Sequence, residues 1–312
     1  MKIVFLDALT VGEVPNMHVL SSLGDFTLYP TTAPSQVSGR IRDAEIIITN
    51  KVILNRETID HAPKLKLICL SATGMNNVDL EYCKTKGIPV MNVAGYSTES
   101  VAQTTFTMIL YLLNKPLYYD RYVKSGEYSS SDIFTHIGPS FHQLSGKDFG
   151  IIGLGSIGKK VAAIATAFGA SVSYYSTTGL NNCSDYRRMD LPGLLALCDI
   201  ISIHAPLNSQ TTNLINEKNI PLMKPGALLV NAGRGGIVNE TAIAAALDSH
   251  RIAGYATDVL SAEPISSANP LLHVKNPDTV LIFPHIAWAS IEARTLLIER
   301  IAENIRKFYS QT

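Results

Sequence analysis

The chain has 312 residues, of which 46% are hydrophobic and 17% charged, and its 26 basic side chains balance 26 acidic ones. This composition is typical of a folded globular protein, and the length is enough for two domains with separate cores. The even charge balance argues against nucleic-acid or membrane-surface binding, and no stretch approaches the ~20 apolar residues that span a bilayer.

Short apolar runs predict strands along the whole chain, with segments of helical character between them. In the first part of the chain the runs are KIVFL (2–6), EIIIT (45–49), LKLICLS (65–71) and PVMNV (89–93). Later in the chain they are DFGIIG (148–153), SVSYYS (171–176), DIISIHA (199–205), ALLVNA (227–232), RIAGYATDV (251–259) and TVLIF (279–283). Runs that are continuously apolar predict strands covered on both faces, as in parallel sheets. The alternation of strands and helices predicts a doubly wound α/β fold.

Two long helical segments indicate a division into two domains. STESVAQTTFTMILYLLN (97–114) predicts a largely apolar helix, and SIEARTLLIERIAENIRKFY (290–309) predicts an amphipathic one. We predict a discontinuous first domain of residues 1–98 and 290–312, and a second domain of residues 99–289.

The segment 123–147 is polar and turn-rich, and it is too long for an ordinary connection between elements. Its interspersed Tyr, Phe and Ile side chains predict an arm that packs on a second subunit.

The four cysteines are scattered along the chain: Cys69, Cys83, Cys183 and Cys198. Their spacing matches no metal-site or redox motif, so we predict reduced thiols, no bound metal and a cytoplasmic location.

A glycine motif follows the predicted strand at 148–152. Gly153, Gly155 and Gly158 form a complete GxGxxG, and an alanine-rich helical segment comes next. In that context Gly153 permits a tight turn, Gly155 lets the backbone approach a pyrophosphate, and Gly158 allows close helix–strand packing. The helix N-terminus would supply N–H groups to the phosphates. The sequence therefore predicts dinucleotide binding by the second domain.

The residue after the next strand bears on which nicotinamide cofactor binds. An acidic side chain there would hold a ribose 2′-hydroxyl, and an arginine nearby would hold a 2′-phosphate. The sequence has Ser176 at this position, followed by two threonines and a glycine. We favour NAD(H), and NADP(H) stays open.

Four polar residues lie at or shortly after the ends of predicted strands in the second half of the chain: Arg234, Asp258, Glu263 and His285. Each alone has a purely structural explanation, as a surface cation, a cap, a loop charge or a packed histidine. Together they predict an anion clamp and a proton-transfer group beside the dinucleotide turn, because ligands of such sheets bind beyond the carboxyl ends of the strands.

This set of residues suits hydride transfer to a 2-oxo acid. Arg234 would bind the substrate carboxylate through its planar fork, and His285 would protonate the carbonyl oxygen. A carboxylate on the other ring nitrogen, from Glu263, would favour the imidazolium form. His204 also ends a strand, but no acidic partner is evident near it, so we interpret it as structural or on the cofactor side.

Seven motifs resemble the D-isomer-specific 2-hydroxyacid dehydrogenase family, in family order over nearly the whole chain. They are SATGMNNVDL, NVAGYSTESVAQ, GLGSIG, HAPLNSQTTNLI, VNAGRGGIVNE, ATDVLSAEP and PHIAW. The resemblance implies a flavodoxin-like substrate domain built from both chain ends, a Rossmann NAD-binding domain between them, and a homodimer.

The resemblance also implies roles for individual residues. It implies that Arg234, Glu263 and His285 are catalytic. The residues that it places on the substrate are Thr73, Gly74, Arg234 and Lys51. Those that it places on the cofactor are Thr73, Gly153, Gly155, Ser156, Ile157, Gly158, Ser176, Ala205, Ala232, Gly233, Arg234, Asp258, His285 and Trp288. Lys51 has a solvated loop lysine as its alternative, and Trp288 a packing anchor for the last helix.

Within the family, TNKVIL near residue 50, YYSTTG and PHIAWAS look most like glycerate dehydrogenases, also called hydroxypyruvate reductases. We therefore expect D-glycerate and hydroxypyruvate as the substrate pair. Glyoxylate, pyruvate or a bulkier 2-oxo acid is the alternative substrate. A non-catalytic NAD(H)-sensing corepressor is the alternative function.

Overall fold

The computed structural model describes residues 1–310 and divides into two compact units. One unit is Met1–Ser97 together with the segment that begins at Trp288, and the other is Thr98–Ala287. The chain thus leaves the first unit after Ser97 and returns to it at Trp288.

Residues 1–310 contain twelve strands and ten α-helices. The strands are β1 (Lys2–Phe5), β2 (Asp25–Leu28), β3 (Ile46–Thr49), β4 (Leu67–Leu70), β5 (Val90–Met91), β6 (Asp148–Ile152), β7 (Ser171–Tyr175), β8 (Arg187–Arg188), β9 (Ile200–Ile203), β10 (Leu228–Asn231), β11 (Gly254–Thr257) and β12 (Val280–Ile282). The helices are α1 (His18–Ser21), α2 (Val37–Ile41), α3 (Arg56–Asp60), α4 (Leu80–Thr85), α5 (Thr98–Asn114), α6 (Pro116–Lys124), α7 (Ser156–Ala167), α8 (Leu191–Leu197), α9 (Glu240–Asp248) and α10 (Ile291–Ser310).

The first unit is built on a parallel five-stranded sheet in the order β2-β1-β3-β4-β5. Alternate residues of β1, β3 and β4 point to opposite faces, and both faces are buried. On one face they pack against apolar side chains of α10, from Leu297 to Ile305. On the other face they pack against α2, α3 and α4. Coverage on both sides explains why these strands are continuously apolar.

The second unit is built on a parallel seven-stranded sheet in the order β12-β11-β10-β9-β6-β7-β8. Side chains of α5 and α7 cover one face, and side chains of α8 and α9 cover the other. The strand order reverses between β6 and β9, which is the arrangement of a Rossmann domain. The two parallel sheets confirm the predicted doubly wound α/β fold.

Two strands were not predicted from the sequence. β2 has the sequence DFTL, and none of its four residues is fully buried. β8 is the exposed pair Arg187–Arg188, which joins the sheet only by pairing with β7. Neither strand carries the apolar run by which the others were found.

The predicted arm begins within α6 and continues through a short 3-10 turn at Tyr128–Ser130. An aromatic cluster ties the arm to α6: the ring of His136 stacks on Tyr122 at 3.7 Å between centroids. The Tyr119 hydroxyl donates to the carbonyl of Pro139 over 2.8 Å. The most exposed apolar side chains of the arm are Ile133 (63% exposed), Phe134 (90%) and Ile137 (89%).

None of the helices within residues 1–310 combines the length and the apolar character needed to cross a lipid bilayer.

Candidate active site

Loops at the carboxyl edge of the seven-stranded sheet carry most of the predicted site residues. Along this edge they are His285 after β12, Asp258 and Glu263 after β11, Arg234 after β10, Ala205 after β9, Gly153 after β6 and Ser176 after β7. Neighbouring strands are ~4.8 Å apart, so the five steps from β12 to β7 cover about 24 Å. The edge therefore presents these groups in a row to an extended ligand.

The glycine turn has the geometry that a dinucleotide requires. Gly153 has a φ of 92° and packs so closely that a Cβ there would lie 2.9 Å from the backbone nitrogen of Ala205. A Cβ on Gly158 would collide with the carbonyl oxygen of Gly153. At Gly155, in contrast, a Cβ would meet no heavy atom within 4 Å. The middle glycine thus borders open space, while the outer two hold the turn against the sheet.

The open space lies at the N-terminus of α7, which begins at Ser156 and runs for 12 residues. The first N–H groups of a helix have no partner within the helix, and the helix dipole is positive at this end. Ser156 and Ile157 occupy this first turn and are not fully buried. The turn therefore fits the pyrophosphate of a dinucleotide.

The turn after β7 carries hydroxyl groups and an arginine beside it. Ser176 is buried, and its Oγ accepts a hydrogen bond from the Asn181 backbone N–H over 3.3 Å. A Cβ on Gly179 would lie 3.7 Å from a guanidinium nitrogen of Arg188. No arginine directly follows β7 in the sequence, but Arg188, at the end of the next strand, lies beside this turn.

The Asn231 side chain holds the backbone of the loop that carries Arg234 through two hydrogen bonds. The Asn231 side chain accepts from the Gly233 N–H over 3.1 Å and donates to the Arg234 carbonyl over 3.0 Å. The Arg234 side chain itself is exposed, and one nitrogen donates to the Gly233 carbonyl over 2.8 Å. Within residues 1–310 no carboxylate forms an ion pair with it. Its other donors are thus not committed to an internal ion pair.

Asp258 fixes the backbone next to His285. The carboxylate is buried and accepts from the N–H groups of Ile286 over 2.7 Å and Ala287 over 2.9 Å. Burial raises the pKa of the Asp258 carboxyl, while the two backbone donors and the nearby His285 act in the opposite direction. His285 has a φ of 58°, a left-handed conformation that costs a non-glycine residue about 1–2 kcal/mol. Two bonds to a buried carboxylate offset that cost.

Glu263 lies against the imidazole of His285. Its Oε2 is 2.7 Å from Nδ1 of His285, and its Oε1 accepts from the Leu260 backbone N–H over 2.9 Å. A carboxylate only accepts, so the proton of this bond belongs to Nδ1. The pair therefore fixes the ring orientation and places the proton of this bond on Nδ1.

His204, the rival histidine, has different surroundings. Its Nε2 lies 2.7 Å from the Ser202 hydroxyl, while its Nδ1 is buried without a partner in the described part of the chain. Burial lowers the pKa of His204 to about 3. The ring is therefore neutral near pH 7 and unsuited to act as a general acid there.

The predicted substrate residues of the first unit follow β3 and β4. Lys51 is exposed, and its backbone N–H donates to the buried carboxylate of Asp7 over 2.7 Å. The Thr73 hydroxyl donates to the carbonyl of Val93 over 3.0 Å, which holds the turn that contains Gly74. Contact of these residues with substrate stays a prediction.

Trp288 begins the returning segment of the first unit. Its ring packs edge-on against Tyr96, with centroids 6.2 Å apart, and it borders the apolar core of that unit. This position suits the packing role that we gave as an alternative. A contact with the nicotinamide stays a prediction.

Two further residues support the predicted ones and were missed. The Ser100 hydroxyl donates to the Ala287 carbonyl over 2.6 Å, next to the Asp258 bonds. Asp7 accepts from the N–H groups of both Asn50 and Lys51. Asp7 follows the first apolar run directly, and that position at a strand end was the signal that could have found it.

The cysteines take no part in this arrangement. Cys69 and Cys198 are buried, and burial raises the pKa of each thiol to about 12. Within residues 1–310, no group of three or more His, Cys, Asp or Glu side chains is arranged to hold a metal ion.

Comparison with known proteins gives a family match and several full-length relatives. The model of the D-isomer specific 2-hydroxyacid dehydrogenase NAD-binding domain matches residues 106–287. Hydroxypyruvate reductase of Blautia hydrogenotrophica is 35% identical, covering 99% of this chain and 97% of that protein. Glycerate dehydrogenase of Methylorubrum extorquens is 32% identical, covering 98% and 96%.

Solved structures with the same fold hold either nicotinamide cofactor. D-lactate dehydrogenase of Aquifex aeolicus, complexed with NAD and lactic acid, has a TM-score of 0.84 and 29% identity, covering 99% of this chain and 96% of that one. An acyclic imino acid reductase in complex with NADPH and D-Arg has a TM-score of 0.87 and 29% identity, covering 100% and 98%.

Proposed function

The chain belongs to the D-isomer specific 2-hydroxyacid dehydrogenase family, and we propose that it interconverts hydroxypyruvate and D-glycerate. It is an oxidoreductase of 2-hydroxy acids with a nicotinamide dinucleotide as cofactor. The names of the two full-length relatives support this choice of substrate. The observation that carries the proposed chemistry is the 2.7 Å contact between His285 Nδ1 and Glu263 Oε2, on the sheet edge that bears the dinucleotide turn.

Arg234 binds the substrate carboxylate in this proposal. Its guanidinium is exposed, and the loop that carries it is fixed by Asn231. An arginine offers two parallel N–H donors to a carboxylate, which orients the substrate as well as holding it. Thr73, Gly74 and Lys51 are proposed as further substrate-binding residues, as the family resemblance implies.

His285 supplies the proton for the carbonyl oxygen. The bound cofactor supplies the hydride during reduction and accepts it during oxidation. Glu263 holds Nδ1, so Nε2 donates the proton to the substrate oxygen in reduction and takes it back in oxidation. Glu263 also keeps the ring in position, since its Oε2 lies 2.7 Å from Nδ1. A histidine suits this role because it exchanges protons near neutral pH.

The test is the loss of reduced-nicotinamide absorbance with hydroxypyruvate, followed in parallel with a panel of glyoxylate, pyruvate and bulkier 2-oxo acids. We expect the highest kcat/KM with hydroxypyruvate. His285→Gln should lower kcat by about 10²–10⁴ because the proton donor is lost. Near-normal turnover by His285→Gln would refute the role of this histidine. A higher kcat/KM with another acid of the panel would replace hydroxypyruvate as substrate.

The assembly that we propose is a homodimer in which the arm contacts a second copy. Ile133, Phe134 and Ile137 are each more than 60% exposed although the aromatic cluster anchors the segment around them. Clustered apolar side chains in an anchored loop are typical of a protein interface. Sedimentation equilibrium of Phe134→Asp, with Leu9→Asp (66% exposed) as the control, tests this. A wild-type monomer would contradict it. The cytoplasmic location predicted from the cysteines likewise stays a proposal.

A further inference from the structure

The turn after β7 combines hydroxyl groups, a tight backbone and a nearby cation. The Gly179 N–H donates to the Ser176 carbonyl over 3.2 Å, and Gly179 has a φ of 71°. The Thr178 hydroxyl accepts from the Leu180 N–H over 3.3 Å, and a hydroxyl that accepts can still donate. The guanidinium of Arg188 lies beside this turn, 3.7 Å from the position of a Cβ on Gly179.

Pairing between strands brings Arg188 to this place. β8 runs parallel to β7 with Arg188 opposite Tyr174, and the next residue continues the ladder as Met189 N–H donates to the Tyr174 carbonyl over 2.9 Å. Arg188 therefore leaves the sheet at the same carboxyl edge as Ser176. Adjacent strand residues point to opposite faces, so Arg187 points away from the face that Arg188 occupies.

The charges around the turn favour an anion. No Asp or Glu occurs from Ser176 to Asn182, and the first acidic residue after the turn, Asp185, has its Oδ2 3.9 Å from Cys183 Sγ. None of the ion pairs formed within residues 1–310 includes Arg188, which is exposed. In a Rossmann domain the end of the second strand meets the adenosine ribose, and β7 is the second strand here.

We propose that Arg188, with the hydroxyls of Thr177 and Thr178, forms a subsite for the 2′-phosphate of NADPH, so that this chain binds NADPH more tightly than NADH. The planar guanidinium pairs with two phosphate oxygens, and the threonine hydroxyls donate to the phosphate. No carboxylate of the turn repels the phosphate or competes for it. The inference rests on the dinucleotide site proposed above, and it reverses our sequence-based preference for NAD(H).

The test measures equilibrium binding rather than turnover. Titration calorimetry gives the Kd values of NADPH, NADH, 2′,5′-ADP and 5′-AMP for the wild type, Arg188→Ala and the control Arg187→Ala. We expect the wild type to bind each 2′-phosphorylated ligand at least about tenfold more tightly than its counterpart. Arg188→Ala should weaken NADPH and 2′,5′-ADP by about ten- to a hundredfold and leave NADH and 5′-AMP within about twofold, because only the phosphate contact is lost. Arg187→Ala should change none of these values.

Four outcomes would overturn the proposal, and they separate it from the proposed enzyme activity. Equal affinity of the wild type for NADPH and NADH, or an equal loss of both in Arg188→Ala, would remove the subsite and leave the dehydrogenase proposal intact. An equal effect of Arg187→Ala would show a general charge effect instead of a subsite. Failure of the wild type to bind either dinucleotide would overturn the dinucleotide site together with this inference.

Discussion

The two bonds from Asp258 to the Ile286 and Ala287 N–H groups should determine how firmly His285 is held. Asp258→Asn keeps one acceptor oxygen, while the new amide group faces a backbone donor and cannot accept from it. A hydrogen bond to a charged group contributes about 1.5–3 kcal/mol. Since about 1.4 kcal/mol is a factor of ten in an equilibrium constant, losing one bond should raise the equilibrium constant for opening of this segment by about ten- to a hundredfold. The left-handed strain at His285 favours opening as well.

Hydrogen exchange of the Ile286 and Ala287 amides in the cofactor-free protein measures this opening directly. The matched control is Ser100→Ala, which removes a bond between neutral groups to the Ala287 carbonyl on the same segment. That bond contributes about 0.5–1.5 kcal/mol, so the control should lose protection by about two- to tenfold. If Asp258→Asn loses no more protection than Ser100→Ala, the carboxylate does not hold the segment and the argument is wrong.

Three further predictions concern the cofactor turn, acid stability and the anion clamp. Gly155→Ala should leave the melting temperature unchanged yet weaken cofactor binding, because its Cβ enters open space, whereas Gly158→Ala should destabilise the fold through a backbone collision. Calorimetry with and without cofactor separates the two variants. His204 has a pKa of about 3 in the fold and about 6.5 when unfolded. As the pH falls from about 6.5 to about 3, the unfolded chain binds a proton that the fold does not, so the wild type should lose up to about 1.4 kcal/mol of unfolding free energy per pH unit. The unfolding free energy of His204→Gln, measured by urea unfolding, should lack this pH-dependent loss. Identical slopes of unfolding free energy against pH in the variant and the wild type would contradict the prediction. Arg234→Lys should raise KM for the 2-oxo acid in steady-state assays, since a lysine lacks the planar fork, and an unchanged KM would contradict the clamp.

The elements that could be predicted are those with a recognisable apolar run or helical periodicity in consecutive residues. β3 and β4 are buried on both faces, so their apolar runs stood out, and α10 appeared through its periodicity. β8 did not, because two exposed arginines become a strand only through pairing with β7.

The same distinction holds for the candidate site. Groups at strand ends, such as Glu263 and His285, could be predicted to lie on one sheet edge because parallel strands share their carboxyl ends. The contacts that orient them could not: Asp258 reaches backbone groups of residues 286 and 287, and Ser100 reaches Ala287 from α5. Such bonds join positions far apart in the chain, and no local pattern encodes them.

The return of the chain into its first unit has a consequence for how the protein is made. Strands β1 to β5 are synthesised before the second unit, yet one face of their sheet is covered by side chains of α10, from Leu297 to Ile305, which follows that unit. The second unit has its whole core within Thr98–Ala287 and can close before α10 is synthesised. Domains commonly fold in the order of their synthesis. We therefore expect the reverse order here, with one apolar face of the first sheet uncovered until α10 has been synthesised.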